Sequence, residues 1–330
     1  MPASVVLGCG DHLPERVVGN AELAGDLGTS PEAIGERTGV TRRHYAPVGL
    51  GPSDLGREAS RAALAAAGLG PEAIDLIVFA TMTPDVAFPG SGCYLQDKLG
   101  CRTIGALDVR AQDAGFLFAL ATADRFVRAG KADRVLVVGA EVHSTALERA
   151  PRAAAVTPVF GDGAGALLIG SGAAPGVLAV VLHTDPTDLE RYWCEFPASR
   201  NHPMRMTPEH FHAGRHFYVL DAAAVHPQAE RALVETSAEV LAKVDVTPDR
   251  LALAVVHYLD PRVARRAAAA AGLPEGRTVA PAETMGHMAA AGIPIALAQA
   301  IAAGRVGRGD LVLCLAFGAG MSAAGAVLRL

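Results

Sequence analysis

Lysine is nearly absent: it occurs only as Lys98, Lys131 and Lys243, while arginine is abundant and alanine runs are frequent. That bias is the signature of a GC-rich genome and carries no functional weight. Cysteine is scarce as well. Cys9, Cys93, Cys101, Cys194 and Cys314 are odd in number, scattered and free of CxxC spacing, which excludes a disulfide framework or a cysteine zinc site and suits a reducing compartment. They read as small core residues. Charge is also sparse, at 19% charged residues and a formal net charge of -5. No run of like charges is long enough for a tail or a nucleic-acid arm, which argues against nucleic acid as a partner. Although 51% of the residues are hydrophobic, none of the apolar stretches reaches the roughly 18 residues of a membrane helix. The opening MPASVVLGCGDHLP has no basic region followed by a long apolar one, so a cytoplasmic location is expected.

What is present is length and rhythm. A chain of 330 residues exceeds the usual single core and implies two domains or one large duplicated fold. Apolar runs of strand length alternate with Ala-rich stretches of helical period, an α/β pattern. The strands fall at Ala3–Leu7, Leu76–Ala80, near Thr103–Leu107 and at Arg134–Val138, with helices near Ser53–Ala67 and Ala114–Ala129. A Gly-rich hairpin is expected around Gly161–Gly165. The second half offers strand Val177–His183, an irregular stretch from Thr184 to Gly214, helix Val219–Val244, strand Leu253–Val256, helix Arg262–Ala271 and a terminal strand pair, Leu311–Phe317 and Ala323–Leu328. Asp75–Pro84 parallels Leu251–Pro261, and Asp133–Gly139 parallels Asp310–Ala316. This echo suggests duplication into an N-terminal half, 1–172, and a C-terminal half, 173–330; a chance match of generic strands is the alternative.

Several segments are more specific. Glu36-Arg-Thr-Gly-Val-Thr-Arg42, Ala80-Thr-Met-Thr-Pro-Asp-Val-Ala-Phe-Pro89, Phe160-Gly-Asp-Gly-Ala-Gly165, Gly292-Ile-Pro-Ile-Ala-Leu297, Gly309-Asp-Leu-Val-Leu313 and Ala316-Phe-Gly-Ala-Gly320 follow one another along the chain. In that order they resemble the RTGI, ATxTPDxxFP, FGDGAGA, SIPxAL and GDxVLxxAFGxG segments of the β-ketoacyl-ACP synthase III branch of the thiolase superfamily. The resemblance covers about residue 3 to 329 and implies a five-layered αβαβα thiolase fold from two similar halves, with the active site between them.

The family's catalytic cysteine lies in a segment like AACSGF. The corresponding stretch here is Ala111-Gln-Asp-Ala-Gly-Phe116, which places Asp113 at the nucleophile position. A helix N-terminus would keep an aspartate ionised. Attack of a carboxylate on a thioester gives an anhydride, which lies uphill and hydrolyses readily, so an acyl-enzyme is disfavoured. Asp113 is alternatively only a helix cap. His257, in Val256-His-Tyr-Leu-Asp-Pro-Arg262, matches the family's catalytic histidine, and His287, in Gly286-His-Met-Ala-Ala-Ala-Gly-Ile-Pro294, stands where the family has asparagine. An imidazole can accept a proton near neutral pH, and a neighbouring carboxylate would raise the pKa of His257 and orient its ring. The resemblance implies an oxyanion hole made by the backbone N–H groups of Asp113 and Ala319, donors that survive side-chain changes. A charged aspartate there opposes the developing negative charge unless a histidine is protonated, so an Asp–His pairing is expected.

For substrate, the resemblance implies Arg37 at the nucleotide end of CoA, Arg262 at a carrier-protein docking position, and Phe217, Tyr218 and Phe317 as further contacts. Phe88 would cross a dimer interface into the partner's acyl pocket, making a homodimer the default. The tryptophan expected to stack on adenine is Ala33 and a second nucleotide-binding arginine is Ala154, with Arg152 close by. CoA recognition is thus weakened, which tilts the donor toward an acyl carrier protein. No cofactor is expected beyond the phosphopantetheine that carries the substrate. His212 and His216 have a metal-compatible helical spacing, but no acidic or cysteine ligand completes it, and the stretch from Trp193 to His216 reads as a mobile lid. The enzyme reading is an acyltransferase of specialised, polyketide-type or antibiotic metabolism, passing an acyl group directly to an alcohol, amine or carbon nucleophile. The alternatives are a cyclase, decarboxylase or hydrolase on the same site, or a non-catalytic partner of an active ketosynthase.

Overall fold

The computed structural model describes residues 3–330. The chain opens with β1 (Ala3–His12), then a short ribbon of β2 (Val17–Gly19) and β3 (Arg42–His44) enclosing α1 (Asn20–Ala24) and α2 (Pro31–Thr38). Next come α3 (Pro52–Ala67), β4 (Leu76–Ala80), α4 (Ser91–Leu99), β5 (Gly105–Val109), α5 (Gly115–Arg128), β6 (Arg134–Glu141) and β7 (Gly163–Gly172). The remainder is β8 (Val177–Thr184), β9 (Tyr192–Trp193), α6 (Pro208–His212), β10 (Val219–Leu220), α7 (Ala222–Ala242), β11 (Leu253–His257) and α8 (Pro261–Ala270). It closes with β12 (Thr278–Val279), α9 (Ala282–Met285), α10 (Gly292–Ala302), β13 (Leu311–Gly318) and β14 (Ser322–Arg329).

The strands form two five-stranded sheets, ordered β1-β7-β6-β4-β5 and β8-β14-β13-β11-β12. In each sheet the first two pairings along that order are antiparallel and the last two parallel. The unbroken apolar runs explain the central strands: Leu76–Ala80 and Leu253–His257 are buried at every residue, as strands covered on both faces must be. β4 and β11 hold equivalent places, and so do β6 and β13, which are the segments that echo one another in sequence.

Helices α5 and α10 lie between the sheets. Phe116, Leu117, Leu120 and Val127 of one, and Ile293 and Leu297 of the other, join strands of both sheets in one buried cluster. Each such side chain contributes about 1.5–3 kcal/mol relative to exposure. On the outer face of the first sheet Leu55, Ala59 and Leu64 of α3 and Leu95 of α4 form a second cluster, and Val225, Leu233 and Val240 of α7 with Val263 of α8 form the third against the other sheet. The order of layers is therefore helix, sheet, helix, sheet, helix.

Local boundaries differ from the sequence reading where long-range contacts decide them. The strand expected near Thr103–Leu107 runs from Gly105 to Val109. The helix expected from Val219 begins at Ala222, because Val219 and Leu220 pair with β9 and the Asp221 carboxylate caps the Ala224 N–H. The Gly161–Gly165 segment is no hairpin: β7 starts at Gly163 and pairs with β1 and β6. Cys93 and Cys194 are exposed, which corrects their reading as core residues.

Candidate functional site

The two central helices start at nearly the same place, and the residues just before them make the site. Gln112 and Ala289 both hold positive φ, 43° and 35°, a costly backbone for residues with a Cβ and one concentrated at functional sites. These turns bring Asp113, ahead of α5, to His287, ahead of α10. His287 is clamped through its own backbone: its N–H donates to the Val159 carbonyl at 2.7 Å, and its carbonyl accepts from the Gly161 N–H at 3.0 Å. The Phe160-Gly-Asp-Gly segment thus acts by holding a histidine.

Asp113 is 1% exposed, and its carboxylate meets three donors. Oδ1 accepts from His287 Nε2 and from the Tyr192 hydroxyl, the latter at 3.2 Å. Oδ2 accepts from the Ala319 N–H at 2.9 Å. Burial pushes the Asp113 pKa up, but His287, by charge and hydrogen bond, and the Ala319 N–H outweigh it, so the carboxyl lies below its ordinary value. Gly318 allows this approach, because a Cβ there would sit 1.6 Å from Asp113 Oδ2.

His257 ends β11, and its ring lies on that of His287 with centroids 4.7 Å apart and planes 10° from parallel. Gly292 makes room, since a Cβ there would come within 2.2 Å of His257 Cε1. Among the described residues no hydrogen bond of ordinary geometry reaches either nitrogen of His257, although the Ala289 backbone stands close enough to favour its protonated form, and none reaches His287 Nδ1. Burial, with His287 adding to it and Asp113 opposing, holds His257 down to about 3. The expected Asp–His pairing is formed by His287. One expectation is corrected: burial overrides the upward pull of the carboxylate on His257.

The oxyanion hole also differs, because the Ala319 N–H already serves the Asp113 carboxylate. Phe217 and Tyr218 line a pocket of about 350 Å³ together with Arg152 and Gly214. Phe317 does not join them; it is buried edge-on against Tyr258 at 5.9 Å and borders a separate cleft with His183 and Arg231. Phe88 projects outward, 79% exposed, and Arg37 is exposed on α2. Arg262 is bound to Asp260 and to the carbonyls of Glu36 and Arg37, so its guanidinium is largely engaged in joining α8 to the end of α2.

Three residues of the site carry no sequence motif. Tyr192, from β9, covers Asp113. His143, just beyond β6, is buried with its ring centroid 6.5 Å from that of His287, and its Nδ1 lies 3.2 Å from the Tyr218 hydroxyl. Burial holds His143 down to about 3. Glu141, also buried, is pushed up to about 8 by desolvation, opposed by donors from Thr81, Met82 and Thr83. Tyr192 stands just before the segment read as a lid, Trp193–His216, within which His216 stacks on Phe211 and lies tilted against Phe217. Among the described residues no group of three or more histidine, cysteine or acidic side chains could hold a metal ion. Among the described residues no cysteine bonds a ring nitrogen of His257 or His287. What the site can do chemically is hold an imidazole against a buried carboxylate, with a second imidazole stacked on it.

The family model for 3-oxoacyl-[acyl-carrier-protein (ACP)] synthase III matches residues 107–186, which include Asp113, and the model for its C-terminal part matches residues 241–330, which include His257, His287 and Ala319. The β-ketoacyl-[acyl-carrier-protein] synthase III of Rhodobacter capsulatus is 39% identical over 333 residues, covering 99% of this chain and 98% of that protein. The crystal structure of 3-oxoacyl-(acyl carrier protein) synthase III, FabH, from Pseudomonas aeruginosa superposes with a TM-score of 0.89 at 34% identity, covering 99% of this chain and 98% of that one. The priming β-ketosynthase from the R1128 polyketide biosynthetic pathway gives a TM-score of 0.92 at 32% identity, covering 100% and 96%.

Proposed function

This chain belongs to the 3-oxoacyl-[acyl-carrier-protein] synthase III family of the thiolase superfamily, and from that premise we propose that it is an acyltransferase that uses a thioester donor without forming an acyl-cysteine. The observation that carries the reading is the buried Asp113–His287 pair with His257 stacked upon it. An aspartate bonded to one nitrogen of an imidazole orients the ring and stabilises the imidazolium that forms when the other nitrogen takes a proton. Here the nitrogen left over is His287 Nδ1, which has no partner.

In the proposed reaction His287 Nδ1 removes a proton from an alcohol, amine or activated carbon as that nucleophile attacks the donor carbonyl. The neutral His257 ring donates an N–H to the carbonyl oxygen, a role that the occupied Ala319 N–H leaves open. Collapse of the tetrahedral intermediate breaks the C–S bond, and the imidazolium returns its proton to the departing thiolate. The products are the acylated acceptor and the free thiol. The donor's pantetheine arm enters by the pocket of Phe217 and Tyr218, with an acyl carrier protein or CoA behind it; the acyl carrier proteins named for the relatives support that class of donor. The likeness to a polyketide priming enzyme supports placement in specialised metabolism. Phe88, exposed on the loop after β4, fits a homodimer in which it reaches toward the partner's site.

A panel of acyl-carrier and acyl-CoA donors, with and without alcohol and amine acceptors, tests the reading through thiol release. Release is expected to depend on acceptor and to fall on the order of 10²-fold or more in His287→Ala and His257→Ala. Retention of the wild-type rate in both variants sinks the mechanism. Release without acceptor indicates hydrolysis, decarboxylation or cyclisation on the same groups. The engagement of the Ala319 N–H by Asp113 favours a second reading, a non-catalytic partner subunit, for which no donor releases thiol.

A further inference from the structure

Among the described residues, buried polar side-chain atoms without partners occur singly at Asn20, Arg43, Tyr45, His216 and Ser237, and together at three neighbouring histidines. His143 Nε2, both nitrogens of His257 and His287 Nδ1 are all unpaired, and the three residues are 0% exposed. The proposed transfer engages His257 and His287 and leaves His143 over. A buried donor or acceptor without a partner is unfavourable, and three such rings side by side form a place where a bound molecule could supply the missing partners.

The surroundings of His143 say what kind of ligand. Its ring lies against Phe160, centroids 4.9 Å apart, and runs within 25° of parallel to that of His287 at 6.5 Å. Its Nδ1 is engaged by the Tyr218 hydroxyl at 3.2 Å, and Tyr218 also lines the pocket through which the pantetheine arm would pass. One imidazole nitrogen is thus held by tyrosine, and the other is unpaired on a ring whose centroid lies 6.5 Å from that of His287. The ring is uncharged at neutral pH, so it suits an uncharged oxygen. An alkyl chain laid there would leave Nε2 as unsatisfied as it is now, whereas a hydroxyl or keto oxygen would pair with it.

Resting on the thioester reading, we propose that His143 is a specificity-determining residue whose Nε2 binds an oxygen on the acyl chain, so that the donors are hydroxyacyl or oxoacyl thioesters rather than plain alkyl ones. A site built to bond a substrate oxygen discriminates strongly against the analogue that lacks it, because its own polar group is then left unpaired.

The test is calorimetric binding of two unreactive pantetheine ketones to the full chain, with CH₂ replacing the thioester sulfur, one carrying a butyryl and the other a 3-hydroxybutyryl chain. Wild type is expected to bind the hydroxylated analogue at least about tenfold more tightly. In His143→Leu the ratio is expected to fall to within about twofold, and His143→Gln, which keeps a hydrogen-bonding group there, to retain part of it. A wild-type protein that binds both alike or neither, or a His143→Leu protein that folds with the ratio intact, overturns the proposal. Should His143→Leu fail to give a cooperative melt, the wild-type and His143→Gln ratios decide between these outcomes. Thiol release from the true thioesters, run in parallel, separates the two claims. A His143-dependent preference without thiol release upholds recognition and removes the transfer reading, and release without preference does the reverse.

Discussion

A carboxylate that is 1% exposed persists as an ion only when its inward lone pairs are met, and at Asp113 they are met by His287, Tyr192 and the Ala319 N–H. Asparagine keeps the shape but not the pattern. If its oxygen accepts from His287, its NH₂ group faces the Ala319 N–H, donor against donor. Asp113→Asn is therefore expected to lose about 1–3 kcal/mol of stability and, if the pair works as a base, on the order of 10²- to 10⁴-fold in acceptor-dependent thiol release. Denaturant unfolding and steady-state rates read the two effects separately; a variant with unchanged rate removes the base role from the Asp113–His287 pair. The identities of Asp113, His257 and His287 were legible in sequence because each stands inside a recognisable segment. An Asp–His pairing was legible too, but which histidine makes it was not, because His287 is presented to Asp113 by backbone clamps from Val159 and Gly161, far away along the chain. His143 and Tyr192 follow no pattern of spacing at all, and only the fold brings them in.

Elements were legible in proportion to how locally they are determined. Leu76–Ala80 is an uninterrupted apolar run and is a strand over those same residues. By contrast, α4 begins at Ser91 in a Gly-Ser-Gly context that gives little helical signal, and its first N–H groups are met by Asp108 of β5, with Ser91 and Gly92 donating at 2.6 and 2.8 Å. The ribbon of β9 and β10 is two residues deep, too short for any periodicity, yet β9 delivers Tyr192 to Asp113. Tyr192 is 2% exposed, and its hydroxyl donates to the buried carboxylate. Tyr192→Phe is expected to destabilise the protein by about 1.5–3 kcal/mol, the range for a hydrogen bond to a charged group. Urea unfolding measures it, and a change near zero indicates that the ribbon lies open over the site in solution.

For the molecule as a whole, burying titratable groups at the seam between two sheets ties stability to pH. Glu141 is shifted by desolvation from 4.5 up to about 8, so between those values the native state holds a proton that the unfolded chain has released. Its contribution is complete below about 4.5 and is lost as pH rises through about 8. His143 and His257 are shifted by burial from 6.5 down to about 3. In that window the unfolded chain takes up protons that the native rings refuse, so their contribution is present above 6.5 and lost as pH falls through about 3. Each group changes stability by roughly 1.4 kcal/mol per pH unit where its two states differ by a full proton. Substitutions expose the separate limbs. Glu141→Gln adds a constant offset, because its NH₂ faces the donors of Met82 and Thr83, but wild type should lose stability relative to it as pH climbs from 4.5 to 8. His143→Leu should show the opposite slope, with wild type losing ground as pH falls below 6.5. Urea unfolding of the three proteins across pH 4 to 9, on the order of one proton per limb, reads both slopes. Parallel curves would mean that water reaches these groups in the native protein, and that the seam is wetter than its packing requires.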